Sequence, residues 1–145
     1  MLLAGKGGAD SKIFLKEGLQ LLDASKYGRG TALRAIVDSP VYDCRDYEGV
    51  PTLDATAVQR DDGSLTVFCV NRDLAEDCLL TLDLRSFGPL RMREHLVLHH
   101  DDVRAVNTEE NPNEVVPVQV PAAQADGGKA EIRLSPLSWN VIRFQ

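Results

Sequence analysis

The chain has 145 residues, 43% of them hydrophobic and 26% charged, with a formal net charge of −6. That is enough chain for one globular domain with a core of its own. The acidic balance speaks against nucleic acid as a partner, which a basic stripe would mark, and against a membrane, since no uninterrupted apolar stretch is long enough to span one.

Residues 1–26 differ from the rest. The opening MLLAGKGGADSK has too short an apolar run, and no basic start, for a secretory signal. Its GKGGADSK portion has linker composition. KIFLKEGLQLLDASK, residues 12–26, puts Ile13, Leu15, Leu19 and Leu22 on one side of a helix. Gly18 in its middle costs about 1 kcal/mol against alanine. We expect residues 1–26 to be a linker, or the remnant of a connection from a preceding barrel, helical or disordered on its own. Residues 27–145 form the expected folded domain.

From Tyr27 the pattern is that of strands. TALRAIVDS reads as a strand ended by Pro40, and DCRDYEGVP as a polar, turn-rich connection. TLDATAVQR alternates Leu53, Ala55 and Ala57 against Asp54, Thr56 and Val58. Asp62-Gly63 then makes a hairpin turn, because glycine accepts positive φ without a Cβ clash. The following strand, LTVFCVN, is apolar on both faces and so central. CLLTLDLRSF alternates Leu80, Leu82 and Leu84 against Thr81, Asp83 and Arg85. RMREHLVL sets Met92, Glu94, Leu96 and Leu98 against Arg91, Arg93, His95 and Val97. Residues 99–117 form a long loop, and VVPVQVP is confined by Pro117 and Pro121 to a sheet edge or cover strand. Asp126-Gly127-Gly128 makes a turn, and AEIRLSP and SWNVIRFQ are the last two strands. About eight strands at this spacing predict an all-β fold, a sandwich or barrel.

Cys44, Cys69 and Cys78 match no zinc pattern or redox pair. Free thiols fit a reducing compartment, so we expect the cytoplasm.

His99, His100, Asp101 and Asp102 are all metal-ligand types. Adjacent residues of an extended chain point in opposite directions, however, and no third cluster supports them. A solvated strand end is the preferred reading, and neither a metal nor a cofactor is expected. There is no GxSxG elbow, and Ser135 and Ser138, which flank Pro136, read as turn residues bonding their own backbone. Glu109, Glu110, Asp61 and Asp62 sit in turn-like segments, where nothing fixes them as a glycosidase pair. Trp139, the sole tryptophan, is expected to pack in the core or at an edge rather than to form a sugar platform.

Several stretches in order resemble one family. They are SKYGRG, VPTLDATAV, LTVFCVNR, EHLVL, AVNTEENPNEVVP and LSPLSWNVIRF. The series is similar to the C-terminal domain of the α-L-arabinofuranosidases of glycoside hydrolase family 51. The resemblance implies a β-sandwich of jelly-roll type and a parent enzyme that releases terminal α-L-arabinofuranosyl groups from arabinan and arabinoxylan with retention. It also implies a (β/α)8 barrel carrying two catalytic glutamates. That barrel needs about 250 residues and is missing, so no catalytic residue is carried over and the chain alone is expected to be inactive. Members also build part of the sandwich from the extreme N-terminus of the enzyme. The absence of that piece and of the barrel should leave apolar surface exposed, and the isolated domain should self-associate.

The expected function is non-catalytic: bracing the barrel and supporting homo-oligomer contacts, with arabinose-containing saccharides met only through the parent enzyme. A stand-alone carbohydrate-binding module is the alternative, favoured if aromatics line an exposed groove. The loop AVNTEENPNEVVP supplies the candidate domain or subunit contacts, Asn107, Thr108, Pro112 and Val115, because loops this long in compact domains usually cover or bind something.

Overall fold

The computed structural model describes residues 25–126 and 128–145. The expected linker and most of the helix expected over 12–26 fall outside them. The described residues form eleven strands and a 3-10 turn, Arg85–Phe87, and residues 25–27 are helical, as expected for the end of the 12–26 segment. They are β1 (Thr31–Leu33), β2 (Val41–Cys44), β3 (Tyr47–Pro51), β4 (Leu53–Gln59), β5 (Leu65–Asn71), β6 (Cys78–Asp83), β7 (Met92–Leu98), β8 (Val118–Val120), β9 (Ala125–Asp126), β10 (Lys129–Leu134) and β11 (Ser138–Phe144).

Two sheets pack as a β-sandwich. The larger has six strands in the order β1-β4-β5-β11-β7-β8, the smaller three in the order β6-β10-β9, and β2–β3 stand apart as a two-stranded ribbon. Between the sheets the larger contributes Leu53, Leu65, Val67, Cys69, Met92, Ile142 and Phe144, and the smaller Leu80, Ala130, Ile132 and Leu134. Each fully buried leucine, isoleucine or phenylalanine there adds about 2 kcal/mol of transfer free energy.

The β4–β5 hairpin follows the Asp62-Gly63 signal. Gly63 has φ of 80°, and Asp62 Oδ1 accepts the Ser64 N–H at 2.9 Å. β5 is interior to its sheet and apolar on both sides because both sides are covered. Its second face meets Tyr27, Val58 and Val141 around Phe68. Tyr27 is held there by the Arg143 guanidinium, 4.7 Å from its ring centroid.

The structure departs from the sequence reading in three places. TALRAIVDS pairs only over Thr31–Leu33, against β4. Past Leu33 the chain leaves the sheet, and Ile36 stands 94% exposed with nothing to alternate against. Gly30 is needed where this edge strand begins, at φ of 146°, since a Cβ would lie 2.3 Å from the Gln59 carbonyl oxygen. Second, DCRDYEGVP is no mere connection but most of the β2–β3 ribbon. Its polar residues occupy the Arg45-Asp46 turn and one face, and a register shift between Tyr42 and Cys44 breaks the alternation. Third, β7 is bulged against β11 between Arg143 and Phe144. Met92 therefore pairs with Phe144 on the core side, as His95 pairs with Ile142, while Glu94 and Leu96 pair with Arg143 and Val141 on the other side. Trp139 packs as the sequence reading expects, half-buried against the second apolar cluster and stacked on Phe68 with centroids 6.0 Å apart.

Antiparallel pairing gathers one set of strand ends. Leu53 pairs with Asn71, Asn71 with Ser138, and Trp139 with Leu98. From this end emerge the β2–β3 ribbon, the 72–77 connection, the 135–137 turn and the 99–117 loop. Asn71, 1% exposed, fastens it. Its Nδ2 donates toward the carbonyls of Glu76 (3.0 Å), Ser135 (3.1 Å) and Leu134 (3.2 Å), and its Oδ1 accepts the Asp73 N–H at 3.0 Å.

Candidate interdomain contact site

The 99–117 loop leaves β7 at Leu98 and returns at β8, so both of its ends are fixed by neighbouring strands. Its own polar groups close it. Asn107 Nδ2 donates to the Val115 carbonyl at 2.9 Å, and the Val115 N–H donates to Asn107 Oδ1 at 2.7 Å. This amide clamp imitates a pair of strand hydrogen bonds and holds Val115, only 4% exposed, against the body. Thr108 caps the tip: its N–H donates to the Asn111 carbonyl at 3.1 Å, and its Oγ1 accepts the Asn111 N–H at 3.0 Å. Asn111 Nδ2 also donates to Glu114 Oε2. Of the four expected contact residues, Thr108 and Pro112 are exposed, Asn107 is half-buried and Val115 is buried.

The two histidines serve the same loop rather than one ion. His100 Nδ1 lies 3.0 Å from the Asp102 amide nitrogen, and its Nε2 lies 3.3 Å from Glu114 Oε1. His99 Nε2 lies 3.2 Å from Asp101 Oδ1. Among the described residues no group of three His, Cys, Asp or Glu side chains is placed to hold a metal ion. Glu109 and Glu110 are exposed on the loop tip. Asp62 is tied into its turn by Ser64, whose hydroxyl and N–H hydrogen bonds hold the carboxyl below its usual range.

A buried polar chain escaped the sequence reading. His95 Nε2 and Asn140 Oδ1 are 2.9 Å apart, Asn140 Nδ2 donates to Ser138 Oγ at 2.9 Å, and Ser138 Oγ donates to the Ser135 carbonyl at 2.6 Å. Histidine and serine in one network invite comparison with a hydrolase triad. Here asparagine separates them, the serine proton is committed to a backbone carbonyl, and Ser138 and Asn140 are sealed from solvent. A base bonded directly to an accessible hydroxyl is what nucleophilic catalysis requires. Burial lowers the His95 pKa, the Asn140 hydrogen bond opposing it in part, so the ring is neutral near pH 7 and its Nε2–H donates to Asn140. The bulge in β7 is the physical reason His95 points inward, and a period-2 reading does not anticipate it.

Residues 20–138 match the family profile described as the α-L-arabinofuranosidase C-terminal domain. The chain belongs to this family. It is 40% identical over 126 residues to an intracellular exo-α-(1→5)-L-arabinofuranosidase 1 of Bacillus subtilis, a match covering 86% of the chain and 25% of that protein. An exo-α-(1→6)-L-arabinofuranosidase of Bifidobacterium longum is 35% identical over 118 residues, covering 80% of the chain and 23% of the relative. Among solved structures, a family 51 α-L-arabinofuranosidase from Bifidobacterium longum superposes with a TM-score of 0.74 at 30% identity, over 85% of this chain and 24% of that one. The arabinofuranosidase C-terminal domain thus spans about a quarter of the length of the curated relatives it matches.

Proposed function

We propose that this chain is the non-catalytic C-terminal sandwich of an α-L-arabinofuranosidase, and that it braces the catalytic barrel of the parent enzyme. The observation that carries this reading is the match of residues 20–138 to a C-terminal domain whose relatives are about four times longer. The parent hydrolyses terminal α-L-arabinofuranosyl groups with retention. The 99–117 loop serves as a contact with the barrel or a neighbouring subunit of a homo-oligomer: Thr108 and Pro112 face the partner, while Asn107 and Val115 hold the loop's shape. The intracellular names of relatives and the three free cysteines support a cytoplasmic location.

The test of bracing is the thermal half-life of the N-terminal three quarters of the Bacillus subtilis relative, with and without this chain added. The proposal expects a longer half-life in its presence. An unchanged half-life at saturating chain would reject it.

A further inference from the structure

Exposed large apolar side chains are unevenly distributed over the described residues. Ile36, Val37, Val41, Tyr42 and Tyr47 lie on or before the β2–β3 ribbon, Leu74 (79% exposed) in the 72–77 connection and Val103 (51%) in the 99–117 loop, while Leu79 and Val118 stand on β6 and β8. All three segments leave the sandwich at the end where Leu53, Asn71, Ser138 and Leu98 meet. At the opposite end, the 60–64 turn and the 84–91 connection expose no large apolar side chain. Single exposed hydrophobes need no explanation, but a one-sided set of them marks an interaction surface.

The ribbon is the centre of that set. Tyr42 pairs with Val50 and Cys44 with Tyr47, so one face carries two tyrosines, a valine and a cysteine. Neither apolar cluster of the sandwich includes a ribbon residue. Among the described residues the ribbon is fastened at its root: the Leu53 N–H donates to Ser39 Oγ, the Thr52 N–H to the Pro40 carbonyl, and Arg72 Nη1 to the Pro51 carbonyl, each at 2.9 Å. A two-stranded hairpin is marginal in water unless its apolar face is covered. Arg45 and Asp46 occupy the turn at its tip, so charged side chains border its aromatic residues there, as at the margin of a protein–protein interface.

The identity of the cover follows from how little of the relatives this chain represents. The matched region is a C-terminal domain covering 25% of the Bacillus subtilis relative, so the other three quarters of such a protein precede it. The chain enters the sandwich at β1, and the ribbon is its first excursion after that junction. A domain tethered there meets the ribbon at high effective concentration in every molecule, without assembly of a second copy. We infer that the apolar face of the β2–β3 ribbon, flanked by Leu74 and Val103, is the surface that seats this domain on the preceding catalytic portion. This rests on the bracing role proposed above and names the surface that performs it.

The test is affinity capture of the N-terminal three quarters of the Bacillus subtilis relative by this chain. The wild-type chain, Tyr42→Asp, Tyr47→Asp and a control on the far side of the small sheet, Glu131→Lys, are compared. The ribbon variants should bind at least tenfold more weakly, with the control unchanged. All of them should keep the wild-type circular dichroism spectrum. Hydrogen exchange on the wild-type complex supplies a readout that needs no variant, and amides of residues 41–51 should gain protection. Wild-type capture with equal capture by both ribbon variants, or protection confined to other segments, would overturn the inference and leave bracing intact. Failure of the wild-type chain to bind would overturn both. If sedimentation shows the ribbon variants dissociating a self-associated chain while capture is unaffected, a second copy is the occupant and the inference falls.

Discussion

At the residue scale, a few buried amides carry the structure. Asn71 ties the end of β5 to the 72–77 connection and to the end of β10. Asn71→Ala leaves buried carbonyls without a donor, which costs about 1–3 kcal/mol; urea unfolding should show that loss. His95 supplies a pH dependence. Its folded pKa lies below the ordinary 6.5 because of burial, so the unfolded chain binds the proton first. Its contribution is complete above 6.5 and is lost as pH falls from there toward the depressed folded value. The unfolding midpoint should therefore drop as the pH falls below about 6.5, and that dependence should flatten in His95→Gln. Residues of this kind were only partly legible in the sequence. Ser138 could be read as a turn residue bonding its own backbone, because Ser135 lies within local reach. Asn71 and Asn140 could not, since their partners at Leu134 and His95 are 63 and 45 positions away.

At the element scale, legibility followed how cleanly burial imposed a period of two. β6 is the clear case: Leu80 faces the core while Leu79 is exposed. Leu80→Ala should cost about 2–5 kcal/mol and Leu79→Ala no more than about 0.5 kcal/mol, measured by denaturant unfolding. β4 and β10 are legible for the same reason, whereas β5 is legible as a continuous apolar run because both of its faces are covered. The β2–β3 ribbon was missed because it buries neither face, and polar composition without alternation reads as a loop. β7 was found but misphased, because a bulge is set by its pairing with β11 and leaves no mark in the strand's own residues. The long loop was legible as a loop, though not its closure. In the parent enzyme, Asn107→Ala should free both Val115 backbone groups and loosen stability or assembly without removing catalytic groups. Size-exclusion and thermal unfolding of that variant both read the effect, and no change in either would reject the contact role.

At the scale of the whole molecule, the six-stranded sheet outnumbers the three strands facing it, and the exposed hydrophobes gather at one end. The isolated chain should therefore self-associate as its concentration rises, which sedimentation velocity reads directly. A monomer at high concentration would count against the exposed surface being adhesive. The described residues offer a scaffold whose polar groups bond one another, with no accessible nucleophile–base pair and no cluster of metal ligands. On the proposed bracing role, such a sandwich carries none of the chemistry of its parent enzyme. Turnover of an aryl α-L-arabinofuranoside by the purified chain tests it most directly. The account predicts no release of the aryl alcohol above the buffer rate; turnover that persists at constant specific activity through successive purification steps would contradict it.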